Sequence, residues 1–346
     1  MNKVRLKTSA FAMSYISNEE KVRDMVRGLD IHMRRQPRIT DSGIKVSAVC
    51  FTPEICKNLR DYVNKMNDYI APAAAEGSAI VAFPELCGMT AMSLMPRFKA
   101  ICGEWRKLRG ASQEDQREAM LTVCETVQGF VSEVFLNTFS QLARSHRMII
   151  AAGGIYQIEN GRLYNRQYLF NEEGEVCAMQ DKLFLTPTER ALGVSSGKRL
   201  TPGATRLGNV ALLGGSSLRH YEPYWIAAAM NCRFAVASAS PYIVTEHKLA
   251  RYRAQEQGMC LLLPGCSGGK EFGISLASPA GIYVPRGSED HPDGIAAESM
   301  EKSLVTALVN PAKSQGATDI YSADKNIEFL RTLIGPPQPE GLIELK

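Results

Sequence analysis

Apolar and polar positions follow two rhythms along this chain, and each change of rhythm marks a boundary between elements. Residues 44–51 form a short, apolar, β-branched run that reads as a buried strand. Thr52-Pro53-Glu54 then reads as a helix start, with Thr52 as N-cap and Pro53 at the first helical position. Ile55, Leu59, Val63, Met66 and Ile70 continue it at helical steps. Gly77 ends that helix, and residues 78–83 form a second apolar strand leading directly into Pro84-Glu85. Strand, helix and strand in this order make a βαβ unit, for which a right-handed crossover is expected.

From 113 to 143 the helical rhythm dominates, with Met120, Val123, Val127, Val131 and Val134 on one face. Residues 148–156 read as a strand containing Gly153-Gly154. Residues 163–170, the turn Asn171-Glu172-Glu173-Gly174, and residues 175–182 form a hairpin pattern. A strand over 209–213, a helix over 222–231, and strands over 234–238, 259–263 and 272–278 follow. Long crossovers mixed with hairpins indicate a layered α/β fold with one mixed sheet or a pair of sheets. This predicts an N-terminal extension over 1–43, a single domain over 44–312 and a tail over 313–346, where Gly335-Pro336-Pro337-Gln338-Pro339 reads as extended.

Composition narrows the class. The 346 residues are 45% hydrophobic and 22% charged, which excludes wholesale disorder. No uninterrupted apolar run approaches the ~20 residues of a membrane span. The N-terminus has no apolar signal core, and nine cysteines without a CxxC pair read as reduced thiols, so a cytoplasmic protein is expected. Residues 1–45 hold ten Lys/Arg against five Asp/Glu, a balance of +5 where the whole chain has +4. The densest basic run is Arg34-Arg35-Gln36-Pro37-Arg38, with Arg27 and His32 upstream. It lacks aromatic interleaving and any nucleic-acid motif, so a solvated helix face is expected rather than a nucleic-acid arm. Five separated histidines (His32, His146, His220, His247 and His291) offer no metal-ligand spacing, so neither metal nor cofactor is expected.

The candidate chemistry sits at strand ends, where α/β folds bind ligands. The run Ala-Ile-Val-Ala-Phe-Pro delivers Glu85 to the end of its strand, and Lys182 closes another. A carboxylate and an ammonium so placed can act as general base and oxyanion stabiliser, or form a structural ion pair at the sheet rim.

Phe83-Pro84-Glu85-Leu86 resembles the first catalytic motif of the nitrilase superfamily, the carbon–nitrogen hydrolases. Lys182-Leu183 with Thr186 and Glu189-Arg190 is similar to the family's lysine motif with its accessory glutamate. Tyr164-Asn165 before the Glu173-Gly174 turn, Pro202-Gly203, Arg253-Ala254-Gln255-Glu256-Gln257, and Phe272-Gly273-Ile274-Ser275 with Pro279-Ala280-Gly281 agree in order. The likeness runs from about Ile44 to Pro311. It implies a four-layer α-β-β-α sandwich, a homodimer or larger homo-oligomer, and a site built on Glu85, Lys182 and Glu189 that takes a small amide, nitrile or carboxylate.

The same resemblance exposes a departure. The family places a nucleophilic cysteine after the strand at 209–213, where this chain reads Leu213-Gly214-Gly215-Ser216-Ser217-Leu218. Counting back from Glu222 puts Gly215 at that position, with no cysteine within ten residues on either side. Glycine offers no nucleophile, so thiol-based hydrolysis is not expected. Three routes would restore chemistry: Ser216 or Ser217 as nucleophile, Cys87 from two residues beyond Glu85, or water activated by Glu85 directly. Two function classes follow, a non-hydrolytic binding relative and an amidohydrolase working without a thiol.

Overall fold

The computed structural model describes residues 18–29, 31, 40, 43–96, 98–107, 110–238, 246–269, 272, 277–285, 291–299 and 301–311. Two mixed sheets stack face to face. The first has seven strands: β1 (Ile44–Phe51), β2 (Ile80–Ala82), β3 (Ile149–Glu159), β4 (Arg162–Phe170), β5 (Val176–Asp181), β10 (Gly265–Cys266) and β13 (Leu304–Val309). Its order is β10-β1-β2-β3-β4-β5, with β13 also paired to β1. The second runs β12-β11-β9-β8-β7-β6, built from β6 (Gly203–Thr205), β7 (Gly208–Leu213), β8 (Cys232–Ala237), β9 (Cys260–Leu263), β11 (Ala280–Tyr283) and β12 (Ile295–Ser299). In each sheet three central strands are parallel, β1-β2-β3 in one and β7-β8-β9 in the other, and hairpins flank them.

Period-two alternation on these strands divides their side chains between two cores. Ile44, Val46, Ala48 and Cys50 of β1 face Val210, Leu212, Phe234 and Val236 of the opposite sheet, while Val49 and Phe51 face helices. Burial on both faces is why these strands read as continuous apolar runs. Outside the first sheet lie α1 (Glu19–Arg27), α2 (Leu59–Ala75), α3 (Phe98–Lys107) and α4 (Gln113–His146). Tyr62, Met66, Phe130, Phe135 and Phe139 fill that layer. Outside the second lie α6 (Glu222–Ala229) and α7 (Glu246–Gln257), packed through Tyr224, Ala227, Ala250 and Ala254; the short α5 (Pro187–Ala191) sits near the first sheet's edge. This is the four-layer α-β-β-α sandwich.

Several expectations need correction. The helix expected from Thr52 starts at Leu59, because Asn58 caps it by accepting from the Asp61 amide at 2.9 Å. Thr52 instead pairs its hydroxyl with Ser267 and donates its amide to Tyr69 Oη at 3.0 Å. The strand expected over 272–278 falls largely outside the described residues; Ser278 makes a bridge to Cys266, and a strand spans Ala280–Tyr283. The two following strands, β12 and β13, escaped the periodicity reading altogether. In the N-terminal segment, Val22 and Val26 of α1 are buried in the helical layer. Arg34 to Arg38, His32 and the tail beyond 311 lie outside the described residues. Finally, α4 is by length and composition apolar enough to cross a bilayer, but half of that stretch is buried against the first sheet and neighbouring helices.

Candidate active site

The candidate side chains come from strand ends and the loops just beyond them. Leaving β2, the chain turns through Pro84-Glu85-Leu86, with Leu86 at φ 60°, the left-handed region that L-residues seldom adopt. The turn is held from two sides. Gly153 in the bulge of β3 lies beneath it at φ +67°, where a β-carbon would stand 2.1 Å from the Pro84 carbonyl oxygen. Only glycine allows that approach. From the second sheet, Ser238 at the end of β8 accepts the Glu85 amide on its hydroxyl at 2.5 Å. Lys182 follows β5 and donates its amide to the Asn165 carbonyl on β4 at 2.9 Å. Glu189 lies on α5, whose capping box with Thr186 fixes its carboxylate: Oε2 accepts the Thr186 amide at 2.8 Å and hydroxyl at 2.9 Å.

Glu85, Lys182 and Glu189 meet in one cluster. Lys182 Nζ donates to Glu85 Oε1 at 2.6 Å and to Glu189 Oε1 at 2.9 Å. Asn165 Nδ2 donates to the same two oxygens, at 2.6 and 3.0 Å. The Gly215 amide donates to Glu85 Oε2 at 2.9 Å. Side-chain exposure is 5% for Lys182, 8% for Glu189 and 13% for Glu85, so Glu85 is the most open of the three. Burial pulls the Lys182 ammonium down, but Glu85 and Glu189 together outweigh it and hold its pKa above the ordinary lysine value. Burial likewise pushes Glu189 up, but the Lys182 charge and hydrogen bond, with the Thr186 amide and Asn165, hold it below the ordinary carboxylate value. Tyr156 is pushed well above the ordinary phenol value by burial and by Glu189 and Glu85, so its hydroxyl stays protonated.

Gly215 occupies the turn after β7, facing the carboxylate. A β-carbon there would point towards Glu85 Oε2, 3.8 Å away, but would stand 2.5 Å from the Ser238 carbonyl oxygen. The neighbouring hydroxyls turn away. Ser216 Oγ donates to the Phe184 carbonyl; Ser217 Oγ donates to the Gly214 carbonyl at 2.5 Å and contacts Tyr224 Oη at 3.3 Å. Cys87 Sγ donates to the Ala152 carbonyl at 3.0 Å, and burial pushes its thiol far above the ordinary value. Among the described residues no three His, Cys, Asp or Glu side chains converge as a metal-ligand set.

Sequence reasoning placed Asn165 only in a hairpin motif and Ser238 only at a strand end. Their signal was positional. Leu163, Asn165, Gln167 and Leu169 share the buried face of β4, and an amide on such a face needs a partner.

Comparison with known proteins agrees with this architecture. The carbon-nitrogen hydrolase family model matches residues 46–296. A curated relative, "Probable hydrolase YhcX" of Bacillus subtilis (strain 168), is 23% identical over 266 residues, covering 74% of this chain and 47% of the relative. The chain thus spans about half the length of that relative. Among solved structures, Saccharomyces cerevisiae Nit3, described as a member of branch 10 of the nitrilase superfamily, superposes with a TM-score of 0.62 at 18% identity, over 84% of this chain and all (100%) of Nit3. An amidase from Nesterenkonia sp. gives a TM-score of 0.58 at 16% identity, over 87% of this chain and 100% of the amidase. At such identities these two likenesses speak for the fold, while the family model, spanning most of the sequence, speaks for descent. The chain belongs to the carbon–nitrogen hydrolase family.

Proposed function

We propose that this protein binds a small amide, nitrile or carboxylate at the Glu85–Lys182–Glu189 cluster without thiol-based hydrolysis. The observation that carries the reading is at Gly215. The backbone position whose β-carbon would aim at Glu85 bears no side chain, and the Ser238 carbonyl crowds the space one would need. The family reaction requires a thiolate to attack carbon while the glutamate takes its proton and the lysine steadies the tetrahedral charge. Here a base and a cationic donor remain, with no nucleophile between them. Retaining three charged groups in a buried place is costly unless they are paired, and the pairing of both glutamates with Lys182 fits a site kept for a ligand.

Serine hydrolysis gains no support from geometry, since Ser216 and Ser217 direct their hydroxyls at backbone carbonyls. Water activated by Glu85 stays as the competing enzymatic reading. Binding by calorimetry, alongside assays for ammonia release from amides and nitriles, separates these classes. Binding without release supports the proposal. Release abolished by Glu85→Gln alone would establish activated water, and release abolished also by Ser216→Ala or Ser217→Ala would establish a serine enzyme. A homodimer or larger assembly and a cytoplasmic location belong to the same proposal. Tyr221 and Tyr252 on the outer helical layer are exposed, and light scattering reads the oligomeric state.

A further inference from the structure

We infer that the site selects a ligand presenting cationic N–H donors, of the amidinium class, to Glu85 Oε2, and discriminates against carboxylates and nitriles. This rests on the binding reading above for its site and its lack of thiol chemistry, and replaces that reading's ligand class with a cationic one. The argument begins with acceptor capacity. An ionised carboxylate offers about four lone-pair positions over two oxygens. On Glu85, Oε1 receives Lys182 Nζ and Asn165 Nδ2, and Oε2 receives the Gly215 amide. All three partners are donors, and one of the four positions is filled by no described protein group.

That position lies on the most exposed of the three charged side chains. Oε2 itself stands 3.8 Å from where a residue-215 β-carbon would be. In the family reaction the cysteine would hand its proton to this carboxylate. With glycine at 215 no thiol supplies one, and a ligand must bring its own.

Charge points the same way. Two carboxylates share one ammonium, which leaves a net negative cluster. Arg219, the cation at the end of the same turn, is directed at the buried Glu246 carboxylate 3.6 Å away. Lys182 keeps a third proton for an acceptor, but its side chain is only 5% exposed and already donates to both glutamates. An acetate or nitrile ligand would set lone pairs against Oε2 and leave its second accepting position unfilled as water is expelled. Neither offers it a donor. An amidinium of the same planar shape offers N–H groups on both arms and cancels the surplus charge, and charge-assisted bonds of this kind are the stronger ones.

The test uses the full chain and two matched probe sets: acetamidinium, acetamide, acetate and acetonitrile, then their phenyl counterparts. The expected result is that amidinium binds about tenfold or more tightly than carboxylate or nitrile on at least one scaffold. Glu85→Gln should remove that preference. In the wild type, amidinium should also shift the Gly215 amide resonance, a readout that survives if the variant does not fold. Carboxylate or nitrile binding as tightly as amidinium on both scaffolds overturns the inference while leaving the binding reading intact. A preference that persists in folded Glu85→Gln, or binding that leaves the Gly215 amide unmoved, overturns it as well. If none of the eight probes binds, the binding reading fails and this inference with it.

Discussion

The carbonyl oxygen of Ser238 lies 2.5 Å from the point where a β-carbon on Gly215 would stand, while the Ser238 hydroxyl accepts the amide of Glu85. One residue of the second sheet therefore both holds the Glu85 turn and crowds the β-carbon position of Gly215. The glycine is not retained for a left-handed conformation, because Gly215 is absent from the positive-φ glycines. What demands it is the close approach of backbone, which cannot yield as a flexible side-chain end would.

Gly215→Ala is therefore expected to destabilise the fold by about 1–3 kcal/mol, the usual range for overpacking, as read by urea unfolding. Gly215→Cys should lose a similar amount and gain a labelling-competent thiol facing Glu85. Wild-type stability in both variants would show that the Ser238 segment gives way freely, and that the space is open to a side chain.

Thiol chemistry supplies an independent check. Cys87 is buried and donates to Ala152, and its acidity is suppressed by desolvation. Cys50 and Cys56 are pushed up to about 11, and Cys124, Cys177 and Cys232 to about 12, again chiefly by burial. In native protein at neutral pH these six thiols should thus show no fast stoichiometric phase with iodoacetamide, because the thiolate is the reacting species. Rapid modification of Cys87, located by peptide mass mapping, would make it a nucleophile candidate again.

The elements legible from sequence are those whose burial leaves a clean rhythm. The strand at Ile44–Phe51 and the long helix with Val123, Val127, Val131 and Val134 inward are read directly. Elements whose exposure blurs the rhythm are lost. The strand Ile295–Ser299 is only partly buried along its length, and Leu304–Val309 belongs to the sheet through pairing with a strand more than 200 residues earlier. The site divides in the same way. Glu85 and Lys182 are visible because each ends an apolar run. Ser238 also ends an apolar run, but it carries no charge to mark it, and its role depends on two sheets meeting. The misplaced helix start has a local cause: Thr52 and Asn58 both suit an N-cap, and tertiary bonding of Thr52 to Ser267 decided between them.

The serines near Gly215 should prove structural. Ser217→Ala removes a buried bond to the Gly214 carbonyl and a contact with Tyr224, and a cost of about 1 kcal/mol in chemical unfolding is expected. Ser216→Ala removes the bond to the Phe184 carbonyl at similar cost. Ligand affinity measured by calorimetry should be unchanged in both. A tenfold loss of affinity in either variant, without a change in fold by circular dichroism, would place that hydroxyl in the binding site.

The charged cluster should leave its mark on stability as a function of pH, with a sign that one substitution reverses. Glu189 titrates below its unfolded value, so its contribution is present at neutral pH and is lost as pH falls through the folded value. Lys182 titrates above its unfolded value, so its contribution is full below the unfolded lysine pKa and disappears as pH rises through the folded one. Wild-type stability should accordingly decline at both ends, through this cluster, on acidification into the carboxylate range and on strong alkalinisation. Lys182→Met leaves Glu85 and Glu189 facing each other across Asn165 with no cation between them. A loss of about 3–5 kcal/mol at neutral pH is expected, the usual cost of stranding a buried charge. The pH slope should also invert. With the ammonium gone, desolvation and mutual repulsion favour the protonated carboxyl in the folded state, so moderate acidification should restore part of the lost stability. The decisive comparison is the urea midpoint of wild type and variant between pH 7 and pH values near the carboxylate range. Parallel curves would mean that Lys182 and Glu189 are not electrostatically coupled in solution, whatever their separation.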